Sequence, residues 1–282
     1  MSGDMSTAVH QRVRVLIPWY RPIAVGFSLL ALAAAAYFGF LILADARFNW
    51  ILGGDRQIYR DAALRWLGGG SWYTPDQLAG TYTIATGHVL YPPIALLWLA
   101  PAAFLPDPLW WAIPIVGVAA IVYHHQPAPW SWPVMALCLA LPLTPRLSAA
   151  GNPVLWITLF AALGTIWRPA FALIVLKPSI FPFALLGVRN RGWWVTVAAF
   201  AIGSALFVPM TLDYVRILMN ARGPMATILY SLHDVAMVSI PLIAWGASTR
   251  RRTMLKTSLG DTGPSPCRSA ARSPLREGDR IV

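Results

Sequence analysis

Carboxylates are scarce in this chain, and their placement is uneven. Between Pro22 and Thr249 there are seven acids, all aspartates, and four of them (Asp45, Asp55, Asp61 and Asp76) lie in or beside the segment GGDRQIYRDAALRWLGGGSWYTPDQLAGTYTIATGHVLYPP, residues 53–93. Asp55 follows Gly53 and Gly54. It opens a stretch, Arg56 to Leu67, in which Ile58, Tyr59, Ala62, Ala63, Trp66 and Leu67 fall on one helical face. Asp61 and Arg65 stand on the polar side with the spacing of a helical ion pair. An aspartate at a helix start can satisfy free amides of the first turn as a cap. A carboxylate fixed there can also accept a proton from a hydroxyl group. The two roles are compatible, and any general base in this chain is expected in this segment.

The elements that must position it are membrane helices. A mean hydropathy of +0.57, with 57% hydrophobic and 12% charged residues, cannot be spread over a water-facing surface. Apolar stretches occur at roughly 22–44, 90–105, 109–123, 130–143, 153–166, 170–187, 193–210 and 226–247. A helix needs about 17–25 apolar residues to cross ~30 Å of hydrocarbon. The sequence therefore predicts an all-α polytopic membrane protein with about eight transmembrane helices and an interfacial amphipathic helix in the first external loop. The stretches between 90 and 166 are short, which a tilted, proline-broken or re-entrant segment explains where protein covers its backbone. Trp66, Trp72 and Tyr73 are expected at headgroup depth.

Basic residues then set the orientation. Arg12, Arg14 and Arg21 precede the first stretch, Arg189 and Arg191 follow the sixth, and Arg250, Arg251, Arg252 and Lys256 follow the eighth. With eight crossings all three clusters fall on one side, the cytoplasm by the positive-inside rule. The domains expected are a cytoplasmic segment 1–21, a transmembrane domain 22–249 with an external loop 45–89, and a disordered cytoplasmic tail 250–282 rich in Ser, Pro, Gly and Arg. The net charge of +11 is juxtamembrane or in the tail, so it excludes a nucleic-acid partner. Cys138 falls in a span and Cys267 in the tail, which excludes a disulfide framework. His124 and His125 lack the spaced partners of a metal site and are assigned to a polar loop; no metal and no cofactor is expected. Arginine outnumbers lysine twenty to two, as in a GC-rich bacterial genome, which places the chain in a bacterial plasma membrane.

The order Asp55, Tyr59, Ala62, Leu67, Gly70, Tyr73 and then Tyr91-Pro92-Pro93 resembles the first luminal loop of glycosyltransferase family 87, part of the GT-C superfamily. Gly151-Asn152, Leu176-Lys177-Pro178 and the run Arg189 to Trp194 resemble later motifs of that family, so the likeness covers roughly residues 45–200. The resemblance implies inverting transfer of mannose or arabinose from a polyprenyl-phosphate sugar to a lipid-linked or cell-envelope glycan. Asp55 matches the family's loop aspartate and would be the general base, with Tyr59 and Tyr91 in the substrate-binding region. Family members usually carry more spans. A truncated, catalytically impaired relative that binds polyprenyl lipid is thus one alternative, and a small-solute transporter is a second, although no internal repeat is visible.

A departing polyprenyl phosphate carries its own charge, which a basic residue nearby can stabilise without a metal. Lys177, near the middle of the sixth stretch, is a functional suspect because a charge at that depth is costly. Arg216 and Arg222, in an external loop 211–225, reach phosphate without unusual depth. Arg146 precedes the Gly-Asn motif, and the eight-span layout places both Arg146 and Asn152 inside. They reach an outward site only if one short stretch does not cross. His88, before the second stretch, can bind phosphate or share a proton. His233 and Asp234, within the last stretch, are expected to face a cavity or one another.

Overall fold

The computed structural model of the protein describes residues 22–37, 39–41, 44, 52–85, 87–141, 143–223 and 232–249. The segments 1–21 and 250–282, and Asp45 with them, lie outside the described residues. Among the described residues the fold is all-α apart from one pair of two-residue strands. Among the described residues two helices, α1 at Pro22–Leu41 and a later one at Asp107–His125, are long and apolar enough to cross a membrane. The number rises to four if each of two bent pairs counts as one span. Side chains such as Leu29 and Leu30 on α1 and Ile202 and Leu206 further along are exposed. Apolar surface of that extent is stable against lipid rather than water.

Helix α2, Gly54–Leu67, starts from Gly53, whose φ of 73° is left-handed and whose amide donates to Ala149 O at 2.9 Å. It buries Arg56, Tyr59, Ala62 and Ala63. The chain then folds back through α3, Pro75–Ala79, and β1, Tyr82–Thr83, into the short helix α4, Leu96–Ala103. Eight residues of α-helix rise only about 12 Å. Tyr91, ahead of α4, packs edge-on against Tyr59 at 5.4 Å, and Leu105, behind it, accepts a hydrogen bond from Arg56 Nη2 at 2.6 Å. The stretch 90–105 thus begins and ends beside α2, and its helix is shorter than the expected second crossing needs. Pro92, Pro93, Pro101 and Pro106 keep it short, since proline removes helix donors and restricts the residue before it.

Helix α5, Asp107–His125, runs from this end of the bundle to the far end. The chain returns through α6, Ser131–Ala140, and α7, Leu143–Ala150, bent by 65°. Helix α8, Val154–Ile166, leads away again. His124 and His125 end α5 rather than forming a loop, and the buried His125 ring shares a 2.7 Å hydrogen bond with Thr165 Oγ1 near the end of α8.

The sixth stretch is a hairpin of two 3-10 arms, Arg168–Leu176 and Pro178–Gly187, turning at Lys177 and Pro178. Its ends meet: a Cβ on Gly187 would lie 2.8 Å from Arg168 O. Both ends are at the far end of the bundle, where Arg168 stacks 4.5 Å over Trp245. Asn190 caps helix α9, Arg191–Leu206, by accepting from the Gly192 amide at 2.8 Å. Trp193 and Trp194 clasp the hairpin through indole bonds to Ala184 O and Val188 O. Helix α10, Val208–Asn220, turns 95° from α9 and leads into β2, Ala221–Arg222, which pairs in parallel with β1. Arg216 therefore stands on a helix and not in the expected loop. Helix α11, Leu232–Gly246, closes the bundle, with Ser248 Oγ donating to His125 O at 2.8 Å.

Trp72 and Tyr73, expected at headgroup depth, are core residues with 0% and 1% exposure. Tyr73 OH donates to Tyr91 O at 3.1 Å. Trp72 packs where the glycine-rich turn after α2 folds back, and Arg65 donates to its carbonyl at 3.2 Å instead of pairing with Asp61. Asp61 accepts from Gln57 Nε2 at 2.7 Å.

Candidate functional site

Four segments far apart in sequence meet beside the first turn of α2. Asp55 lies inside the helix and makes no cap bond; left-handed Gly53 occupies the cap position. The carboxylate is therefore free to face the bundle. Its Oδ2 accepts a 2.6 Å hydrogen bond from Asn152 Nδ2. Asn152 Oδ1 accepts from the Val154 amide at 3.0 Å, at the start of α8. That second bond fixes the amide orientation, so the group offered to Asp55 is a donor.

Gly151 makes this approach possible. Its φ is 68°, and an added Cβ would lie 3.1 Å from atoms of Arg56, Trp110 and Trp111. Trp110 Nε1 donates to Gly151 O at 2.9 Å and Trp111 Nε1 to Ser148 O at 2.7 Å, pinning the α7–α8 turn against α5. Arg56, buried beside them, pairs with Asp107. No sequence signal marked Arg56, because a helical arginine ordinarily reads as a solvated face.

The turn of the 3-10 hairpin brings Lys177 into the same region. Its Nζ contacts Asp234 Oδ2 at 2.8 Å, with both side chains largely buried, and lies 5.6 Å from the Tyr91 ring centroid. Burial raises the Asp55 carboxyl above the usual aspartate range. The Asn152 hydrogen bond, then the positive charges of Lys177 and Arg146, oppose that rise, while Asp234 adds to it. The arrangement has a carboxylate able to take a proton, an amide holding it, and a cation paired to a second carboxylate.

Of the residues singled out in the sequence, Asp55, Tyr59, Tyr91 and Lys177 are brought together. Arg146 and Asn152 join them, contrary to the inside position the eight-span layout gave them. Arg222 Nη1 donates to Met219 O at 2.6 Å and Ala221 O at 2.9 Å, and exposed Arg216 pairs with Asp213 at 3.2 Å. Neither is among the described charges that act on Asp55. His88 is committed on both ring nitrogens. The Ala85 amide donates to Nδ1 at 3.0 Å, so Nε2 carries the proton and donates to Asp76 Oδ2 at 2.6 Å. It clamps the loop below Tyr91. His233 enters α11 directly before Asp234; its side chain lies outside the described residues. Asp234 itself faces Lys177, a partnership the sequence did not reveal because the two are 57 positions apart by their numbers.

An open cleft of about 820 Å³ borders the other side of α2's first turn, lined by Gly53, Arg56, Gln57, Asp61, Asp107 and Trp111 among others. Among the described residues no cluster of His, Cys, Asp or Glu is arranged to hold a metal ion. Comparison with protein families, with curated proteins and with solved structures gives no match for this chain.

Proposed function

We propose that the protein is an integral membrane glycosyltransferase that transfers a hexose or pentose, mannose first, from a polyprenyl-phosphate sugar to a lipid-linked or cell-envelope glycan. The observation that carries this reading is the half-buried Asp55 carboxylate, held by Asn152 beside the Lys177 ammonium at one end of a helical bundle. The acceptor hydroxyl attacks the anomeric carbon with inversion and gives its proton to Asp55. The bond from that carbon to the phosphate oxygen breaks, and the electron pair leaves with the polyprenyl phosphate, whose charge Lys177 stabilises. The donor's lipid stays in the bilayer while its sugar reaches the bundle end.

The topology goes with this reading. The site end faces outside a bacterial plasma membrane. Arg189 and Arg191, beside the far end of the bundle, face the cytoplasm, as their charge favours. In this reading the shorter apolar helices α8 and α11 cross together with α1, α5, α6 with α7, and α9, and the hairpin returns to the side it enters from, so that six crossings keep both termini inside as eight would.

The test is transfer of labelled mannose from polyprenyl-phosphate mannose in membranes, comparing the wild type with Asp55→Asn. The variant keeps the shape and the Asn152 contact but cannot take a proton. Turnover is expected to drop at least ~100-fold at unchanged abundance, within the 10² to 10⁴ range of general-base contributions. Near-normal transfer by Asp55→Asn removes the assignment.

One observation favours a second reading. A broken segment delivering a buried ion pair is also how transporters build solute sites. Solute uptake by reconstituted protein, abolished in Lys177→Met and indifferent to Asp55→Asn, would select it.

A further inference from the structure

We infer that Asp234 is an exchangeable counter-ion, occupying the Lys177 ammonium until the phosphate group of a ligand displaces it. This rests on the transferase reading for the identity of that ligand, and on the geometry alone for the exchange.

Lys177 sits at the turn of a hairpin whose two arms enter from the far end and pack Phe171, Ile174, Leu176 and Ile180 into the core, so its position is fixed by the burial of both arms. A charge carried that deep is costly unless paired. The pair it makes is with Asp234, at 2.8 Å, on the first turn of α11. The Tyr91 ring supports the ammonium from another side at 5.6 Å. Asp55 lies close enough to feel both charges, yet forms no ion pair with Lys177; its hydrogen bond comes from neutral Asn152. The cation is thus kept off the base by a second carboxylate.

The core packing of the two arms does not itself require a charged residue at the turn between them. An apolar pair of similar volume would be as stable or more so. The donor's phosphodiester matches a carboxylate in charge and the departing polyprenyl phosphate, a monoester, exceeds it; both accept at several oxygens, so each competes for the same ammonium. While the phosphate is bound, Asp234 is displaced and the ammonium exchanges one anion for another without being left unpaired.

Exchange makes a prediction of sign that a structural salt bridge does not. Removing Asp234's charge removes the competitor, so phosphate ligands should bind more tightly. The experiment measures equilibrium binding of a short-chain polyprenyl phosphate, and separately of inorganic phosphate, to the full chain in detergent. It uses the wild type, Asp234→Asn, Lys177→Met and the double variant. Asp234→Asn should bind the prenyl phosphate roughly tenfold tighter, as expected for losing one nearby like charge. Lys177→Met should bind at least roughly tenfold weaker, and in that background Asp234→Asn should give less tightening than it gives in the wild type, because the carboxylate then has no ammonium to compete for. Tightening for inorganic phosphate alone would keep the exchange and make free phosphate the ligand. Unchanged or weaker binding by a folded Asp234→Asn overturns the inference; Asp234→Ser, predicted to act in the same direction, replaces it if the first variant does not insert.

The two proposals fail separately. Binding with this order of affinities in a protein that transfers no sugar leaves the exchange standing without the transferase. Asp55-dependent transfer with no tightening in Asp234→Asn does the reverse.

Discussion

Asn152 uses both ends of its side-chain amide, one to start α8 and the other to hold Asp55. An aspartate there would place two carboxylates together, and an alanine would leave Asp55 half-buried without its donor. The pH consequence of Asn152→Ala follows from the charges around Asp55. Burial already raises this carboxyl, and the Asn152 bond opposes that by favouring the ionised form. Without the bond the ionised form is less favoured, so the pKa rises further. A base must be ionised to act, so the acid limb of the kcat/KM profile should move to higher pH in Asn152→Ala. At a fixed pH on that limb the rate should fall by about tenfold or more, since a hydrogen bond to a charged group contributes ~1.5–3 kcal/mol. A profile shifted to lower pH, or not at all, would mean that Asp55 does not titrate in the rate-limiting step.

The turn between α7 and α8 is the element that converts helix packing into this contact. Gly151 adopts a left-handed conformation with three side chains within 3.1 Å of where a Cβ would be. Gly151→Ala should lower stability by about 1–3 kcal/mol from backbone strain and crowding. It should also cut turnover by pulling Asn152 from Asp55, read as Tm in detergent beside the transfer assay. Gly246→Ala is the comparison: the added methyl meets nothing within 4 Å, and Tm should stay level or rise slightly. The elements were unevenly legible in the sequence. The amphipathic α2 could be read from its period because its face is buried by packing that a helical pattern encodes. The α4 segment could not, because an apolar run of that length reads alike whether it crosses or folds back, and only its contacts with Arg56 and Tyr59 decide. Trp72 and Tyr73 read as interfacial anchors for the same reason. Composition gives their affinity for an apolar setting, and not whether lipid or protein supplies it.

At the scale of the whole molecule, two segments, 90–105 and the hairpin 170–187, decide which side each later residue occupies. Counting 90–105 as a crossing put Asn152 on the opposite side from Asp55, although the Gly-Asn motif was visible. With 90–105 folded back beside α2, Asp107, Asn152 and Asp55 share one end, while His125, Thr165, Arg168 and Ser248 share the other. Lys177 was legible as a costly charge, but its partner was not, since a hairpin turn and the start of α11 are related by packing alone. The two layouts differ in a measurable way. In a background lacking Cys138 and Cys267, cysteines at Gly69, Pro108 and Asn190 can be tested in intact cells with an impermeant thiol reagent. The eight-crossing layout makes Gly69→Cys reactive and leaves Pro108→Cys and Asn190→Cys protected. The fold described here, with its site end outward, makes Gly69→Cys and the exposed Pro108→Cys react alike, and leaves Asn190→Cys labelled only after the membrane is opened. Labelling of Asn190→Cys with protection of the other two would turn the site toward the cytoplasm. An outward-facing, lipid-carried sugar donor would then have no access to Asp55.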